Sequence, residues 1–175
     1  ERMQKDIENR LFDVASLIFS AQILMLKDRG FLSRIETMIE SGTPPVQAVI
    51  ASVRYYVQRF ESMPHEYIRE KKFDIIDVGR RVLEKLTGTA GGLGHFSGKV
   101  VFTWGMLPSD VLKMSSWNVA GIVLLSGGVT SHVAVLARSL NIPLVIADEK
   151  RLLALPAGTK ILVDGHAGNI FIDPD

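Results

Sequence analysis

The stretch Gly127-Gly128-Val129-Thr130-Ser131-His132-Val133-Ala134-Val135-Leu136-Ala137-Arg138 decides how this chain is read. It follows Ala120 to Leu125, an apolar run of the kind expected for a strand buried on both faces. The glycine pair opens backbone angles closed to other residues, so the chain can turn sharply after that strand. Thr130 is placed to act as an N-cap. Val133, Leu136, Ala137 and Leu140 then recur at i, i+3, i+4 and i+7, which makes one packed helical face. His132 falls in the first turn of this helix. Backbone N–H groups without intrahelical acceptors and the positive end of the helix dipole favour an anion there and disfavour a protonated imidazole. A neutral imidazole in that position is a competent nucleophile for a phosphoryl group. The loop N–H groups and the hydroxyls of Thr130 and Ser131 are available to hold phosphate oxygens or to fix the tautomer. A lone histidine is more often a cap or a packing residue. Gly-Gly-x-Thr-Ser ahead of it, at a strand-to-helix turn, favours the chemical reading.

Working outward, the chain of 175 residues has the length of one domain or two small ones, and its 47% hydrophobic content suffices for a real core. A formal net charge of +1 advertises neither a nucleic-acid stripe nor an acidic tail. There is no cysteine, which excludes disulfides, thiolate metal sites and thiol redox chemistry. No apolar run approaches the ~20 residues that span a bilayer, and the amino end is polar rather than signal-like, so the default expectation is a cytoplasmic location. The opening residue, Glu1, suggests an excised fragment. Neither a dinucleotide-binding nor a Walker-type glycine loop occurs, no histidine-carboxylate cluster has metal spacing, and no metal is assigned.

Residues 1–88 read as an antiparallel helical bundle. Ile7, Leu11, Val14, Ala15, Ile18 and Met25 keep helical spacing, and Gln22 interrupts that apolar face. Phe19, Ile23, Leu24 and Leu26 add a second apolar face, which fits either deep burial or a docking patch. Gly30 is expected to break this helix, with a short one over Leu32 to Glu40. Thr43-Pro44-Pro45 reads as a cap followed by prolines in a first turn. Val46, Val49, Ile50, Val53, Tyr56, Val57 and Phe60 form a stripe read as core. After Ser62-Met63-Pro64 a long helix runs to Gly88. Residues 89–98, rich in glycine, read as a linker. Residues 99–175 alternate strand and helix as in an α/β layer: Lys99 to Trp104, Pro108 to Ser115, Ala120 to Leu125, the His132 helix, Leu144 to Ala147 and a short helix from Glu149 to Leu155. A hairpin of Lys160 to Val163 and Asn169 to Ile172 closes the chain. Asp164 and His166 in its turn, and His65 and His95, are assigned structural roles. Arg138 does not share a helix face with His132 and reads as structural or as a contact to a partner domain.

The stretch around His132 resembles the phosphohistidine signature of the phosphoenolpyruvate-utilising enzymes, which include Enzyme I of the sugar phosphotransferase system, pyruvate phosphate dikinase and phosphoenolpyruvate synthase. Two departures stand out. Val133 replaces the usual Ser, Thr or Ala, and Leu124-Leu125 replaces a segment that usually carries a threonine; Ser126 is a candidate to take over part of that hydroxyl's role. The run from His65 to Leu83 resembles the long helix of Enzyme I, and Phe19 to Asp28 its docking segment for the small carrier HPr. The resemblance implies a swivelling α/β phosphohistidine domain with an attached antiparallel helical bundle, α/β plus all-α in class. It implies that His132 carries the phosphoryl group, with Thr130 and Ser131 beside it and Gly127, Gly128 and Ser126 forming the phosphate loop. By the same resemblance Leu24, Met25, Leu26 and Lys71 contact the carrier. Gln22, Lys27 and Ile76 stand where Enzyme I often has a histidine, an acid and a base, which bears on the identity of that carrier.

The resemblance implies reversible transfer from phosphoenolpyruvate, bound with Mg²⁺ on a barrel domain beyond Asp175, through His132 to HPr. The stretch itself is expected to need no cofactor and to exchange phosphoryl groups with the carrier alone. It is not expected to bind nucleic acid or to insert in a membrane. Two alternatives are a catalytically silent docking module and a histidine domain of a dikinase-like or synthase-like enzyme.

Overall fold

Asp28, not Gly30, separates the first two helices. Its Oδ1 accepts the backbone N–H of Phe31 at 2.8 Å, so Asp28 is the N-cap and Gly30 the second residue of the helix it opens. The computed structural model describes residues 16, 20–89, 96–128 and 131–174. Expectations that fall on residues 1–15, on His95 or on Thr130 lie outside them. The described residues belong to two compact units, Ser16–Leu93 and one that contains Gly94–Asp175.

In the first unit, helix α1 covers residues 20–26, α2 Arg29–Glu40, α3 Pro45–Glu61 and α4 Glu66–Thr87. Helix α3 begins with Pro45 at its first position, where a missing N–H costs nothing. Thr43 does not cap it: Pro44 holds the cap position, and the Thr43 N–H instead closes α2 on the Met38 carbonyl at 2.9 Å. Gly88 ends α4 with φ of 67°, the left-handed angle that glycine adopts without penalty. The core forms between α2, α3 and α4 from Phe31, Ala48, Val49, Ile75 and Val78, each nearly inaccessible. The apolar stripe of α3 is therefore mainly packed, but Ile50 lies outside it, 41% exposed. A Cβ on Gly79 would run into the side chain of Val53, so this glycine sets how closely α3 and α4 approach.

Gln22, the apparent flaw in the first apolar face, is 1% exposed. Its Nε2 donates to Asp77 Oδ2 at 3.1 Å and its Oε1 accepts from Arg81 Nη1 at 2.9 Å, which ties α1 to α4 through a buried polar bridge. A buried carboxylate such as Asp77 requires partners of this kind, and Arg80 Nη2 adds another at 3.5 Å.

In the second unit, β1 (Val100–Thr103), α5 (Pro108–Ser116), β2 (Gly121–Leu124), α6 (His132–Ser139) and β3 (Leu144–Ile146) alternate. The strands form a parallel sheet in the order β1-β2-β3, with Thr103 opposite Leu124 and Leu124 opposite Ile146. Every residue of β2 is buried, as the apolar run predicts for a central strand. Ile122, Val123 and Leu136 are wholly inaccessible and contribute about 1.5–3 kcal/mol each by burial. Glu149 caps a single 3-10 stretch, Lys150–Ala154, in place of the short helix that the sequence predicts. Strands β4 (Ile161–Asp164) and β5 (Asn169–Ile172) make the antiparallel hairpin, and β4 packs against all three parallel strands. Asp164 Oδ1 accepts the N–H groups of His166 and Ala167, both at 2.9 Å, which closes the turn and holds its carboxyl below the usual range.

Candidate functional site

The loop that delivers His132 leaves the carboxyl end of β2, the central strand, where parallel α/β sheets collect their ligands. Leu125 is still buried; Ser126, Gly127 and Gly128 are exposed. Gly127 has φ of 129°, an angle that side chains resist, and it turns the backbone away from the sheet. The Gly128 carbonyl then accepts the Ser131 N–H at 3.0 Å. Ser131 is the N-cap: its backbone is extended, with φ −62° and ψ 154°, and its Oγ accepts the Ala134 N–H at 3.3 Å. The cap is thus one residue later than the spacing suggests, because the turn through Gly128 completes only at Ser131.

His132 becomes the first residue of α6, half-buried, with the buried Val133 and Ala134 anchoring the backbone behind it. An imidazole there stands beside first-turn N–H groups that have no acceptor within the helix. The arrangement combines a nucleophilic nitrogen, an exposed glycine loop and the positive end of a helix. It can accept a phosphoryl group and stabilise its charge. Arg138 occupies the last turn of α6, exposed, where a cation complements the helix dipole.

The residues singled out for docking do not share one environment. Leu24 is 70% exposed and Ile23 49%, while Met25 is half-buried. Leu26, 37% exposed, lines a groove of about 340 Å³ together with Val78, Arg81, Val82, Lys85 and Leu86 of α4. Lys71 is not part of that lining. Its ammonium is 3.4 Å from Asp74 one turn on and 5.2 Å from the ring of Tyr67. Arg81 and Lys85 are the cations beside Leu26, and sequence reasoning passed over them. The signal was present: 78, 81, 82, 85 and 86 follow i, i+3, i+4, i+7, i+8 along one face that mixes apolar and basic residues. His65 precedes α4 without a side-chain capping bond, and His166 sits exposed in the hairpin turn.

Two family profiles match the chain: PEP-utilising enzyme, mobile domain, over residues 96–168, and PEP-utilising enzyme, N-terminal, over residues 1–71. The chain is 32% identical to a phosphoenolpyruvate-protein phosphotransferase of Haloferax volcanii over 94% of its own length and 29% of the relative's. It is 32% identical to that of Staphylococcus carnosus over 99% of its length and 31% of the relative's. It therefore spans about three-tenths of the curated relatives it matches. A solution structure of Enzyme I superposes with a TM-score of 0.62 at 30% identity, covering 98% of this chain and 73% of that one. The N-terminal domain of a second protein, described as Enzyme 1, nitrogen, shares the fold with a TM-score of 0.60 at 17% identity, over 98% and 78%.

Proposed function

We propose, from the premise that this chain belongs to the Enzyme I family of phosphoenolpyruvate-utilising enzymes, that it relays a phosphoryl group through His132. The observation that carries this reading is the position of His132 as the first residue of α6, behind an exposed Gly127-Gly128 turn at the end of the buried central strand. A nitrogen of the neutral imidazole attacks phosphorus. The new P–N bond forms as the donor's bond to phosphorus breaks. With phosphoenolpyruvate that bond is the enol P–O, and the released enolate takes up a proton to become pyruvate. With a phosphorylated carrier it is a P–N bond to the carrier's own histidine. Both phosphohistidines hold the phosphoryl group at similar potential, so alignment and charge stabilisation carry most of the catalysis.

Ser131 holds the start of α6, the glycine loop keeps bulk away from the incoming group, and Thr130 and Ser126 are the further loop hydroxyls in our reading. The phosphoenolpyruvate site lies outside this stretch. Among the described residues no three histidines or carboxylates converge on a site for the Mg²⁺ that accompanies it. We place that ion with phosphoenolpyruvate in the part of the relatives that this chain does not span. The carrier we assign is HPr or an HPr-like protein, seated on Leu24, Met25 and Leu26 with basic contacts from the α4 face, and the setting is the cytoplasm. Among the described residues no helix is long and apolar enough to cross a membrane.

Mass spectrometry after incubation with phosphorylated HPr at neutral to mildly alkaline pH tests the reading. One acid-labile phosphate on the wild type and none on His132→Ala is expected. No phosphate on either, with carrier binding intact, would leave a docking module without transfer.

A further inference from the structure

Trp104 and Lys150 come from opposite sides of the strand that feeds His132. Trp104 directly follows β1, and Thr103, the last residue of β1, pairs with Leu124 of β2. Lys150 opens the stretch after β3, and Ile146, the last residue of β3, pairs with the same Leu124 from the other side. The Lys150 ammonium nevertheless lies 5.4 Å from the centre of the Trp104 ring. The pair therefore links the two outer strands at the carboxyl end of the central one, the end from which Leu125 to Gly128 lead to the histidine.

Its geometry is fixed from both sides. The Thr103 hydroxyl donates to the Gly105 carbonyl at 2.9 Å and sets the bend at Trp104, whose side chain is left about half exposed, 49%. Glu149, beside Lys150, gives its carboxylate to Arg151, with bonds of 2.9 Å from Nε and 2.6 Å from Nη2. Arg151 is thus neutralised and Glu149 spent. Asp148, two residues before Lys150, is exposed, and among the described residues no carboxylate comes within 4 Å of the Lys150 ammonium. A lysine on an indole face gives up much of its rotamer freedom while its charge stays open to solution.

The geometry points to Lys150, seated on Trp104, as the cation that draws an anionic phosphoryl donor to the His132 loop. This rests on the assignment of His132 as phosphoryl acceptor. The ligand is the phosphoryl group itself, whatever molecule carries it. A small donor, phosphoramidate, therefore isolates the effect from carrier docking. The imidazole of His132 forms a P–N bond as the donor's P–N bond breaks, and ammonia leaves with the imidazole proton.

The experiment follows the rate of phosphate incorporation from phosphoramidate, by mass, for the wild type, Lys150→Ala, Lys150→Glu, Lys150→Arg, Trp104→Ala and His132→Ala, at low and high salt. Removing one steering charge is expected to slow the reaction roughly threefold to tenfold at low salt, with a larger loss for Lys150→Glu. Lys150→Arg should restore most of the rate, and Trp104→Ala should fall between Lys150→Ala and the wild type. The salt dependence should flatten in Lys150→Ala, which a purely structural role would not produce. A wild-type rate and salt dependence in Lys150→Glu would overturn the inference while leaving the acceptor intact. Phosphate on His132→Ala, or none on the wild type, would overturn the acceptor assignment and the inference with it.

Discussion

Asp77 is the residue on which the helical unit depends most. It is fully buried, and it is satisfied by Gln22 from α1 and Arg80 from its own helix. Asp77→Ala removes the acceptor of the buried Gln22 amide and one partner of the part-exposed Arg80, and should cost about 1–3 kcal/mol, read as a lower midpoint in urea unfolding. A wild-type midpoint would mean that solvent reaches the bridge. At the surface, Glu149 shows what a guanidinium does to one carboxyl. Hydrogen bonds from Arg151 lower its pKa from 4.5 to about 2. A folded value below the unfolded one stabilises the fold above pH 4.5, and that contribution is lost as the pH falls through about 2. Arg151→Gln removes the charged partner and should return the Glu149 titration towards the ordinary range, as seen by carboxyl NMR. A midpoint still near 2 would assign the shift to the backbone N–H alone.

Between elements, one atom decides the approach of α3 and α4. Gly79→Ala places a methyl against Val53 at a buried crossing, and the resulting overpacking should cost roughly 1–3 kcal/mol despite alanine's better helix propensity. A gain in stability would show that the two helices can part without loss. At α6 the cap has a different consequence. Ser131→Ala leaves the Ala134 N–H without its acceptor and should cost about 1 kcal/mol. Because His132 is the next residue, phosphate incorporation should fall along with the unfolding midpoint. A change in stability with an unaltered rate of incorporation would separate the cap from the chemistry.

Across the whole molecule the two units divide the labour, docking on one and phosphoryl chemistry on the other in our proposal. Leu24 is 70% exposed, so Leu24→Asp should shift the unfolding midpoint by no more than about 0.5 kcal/mol equivalent. Carrier binding, measured by calorimetry, should weaken at least about tenfold, the loss expected when a central apolar contact is truncated, while incorporation from phosphoramidate stays at the wild-type rate. Loss of both together would mean that the substitution acts on folding.

What the sequence determined by itself is what local periodicity and turn chemistry dictate. The apolar run before Gly127 predicts a buried strand, and that strand is the centre of the sheet. The spacing of Val133, Leu136 and Ala137 predicts a packed helix face, and all three are buried. Pro45, Gly88 and the Asp164 turn sit where their backbone preferences put them. The position of His132 at the start of a helix was legible for the same reason. Only the tertiary structure decided matters in which distant residues share one free energy. Gln22 looked like a flaw in an apolar stripe because its partners, Asp77 and Arg81, are 55 and 59 residues away. Asp28 and Ser131 hold the helix boundaries because a cap is chosen by the geometry of its hydrogen bond, not by residue type alone. The Trp104–Lys150 pair exists because strand order brings the ends of β1 and β3 to either side of β2. A sequence carries the preferences of each segment; burial and strand pairing choose which of them are satisfied together.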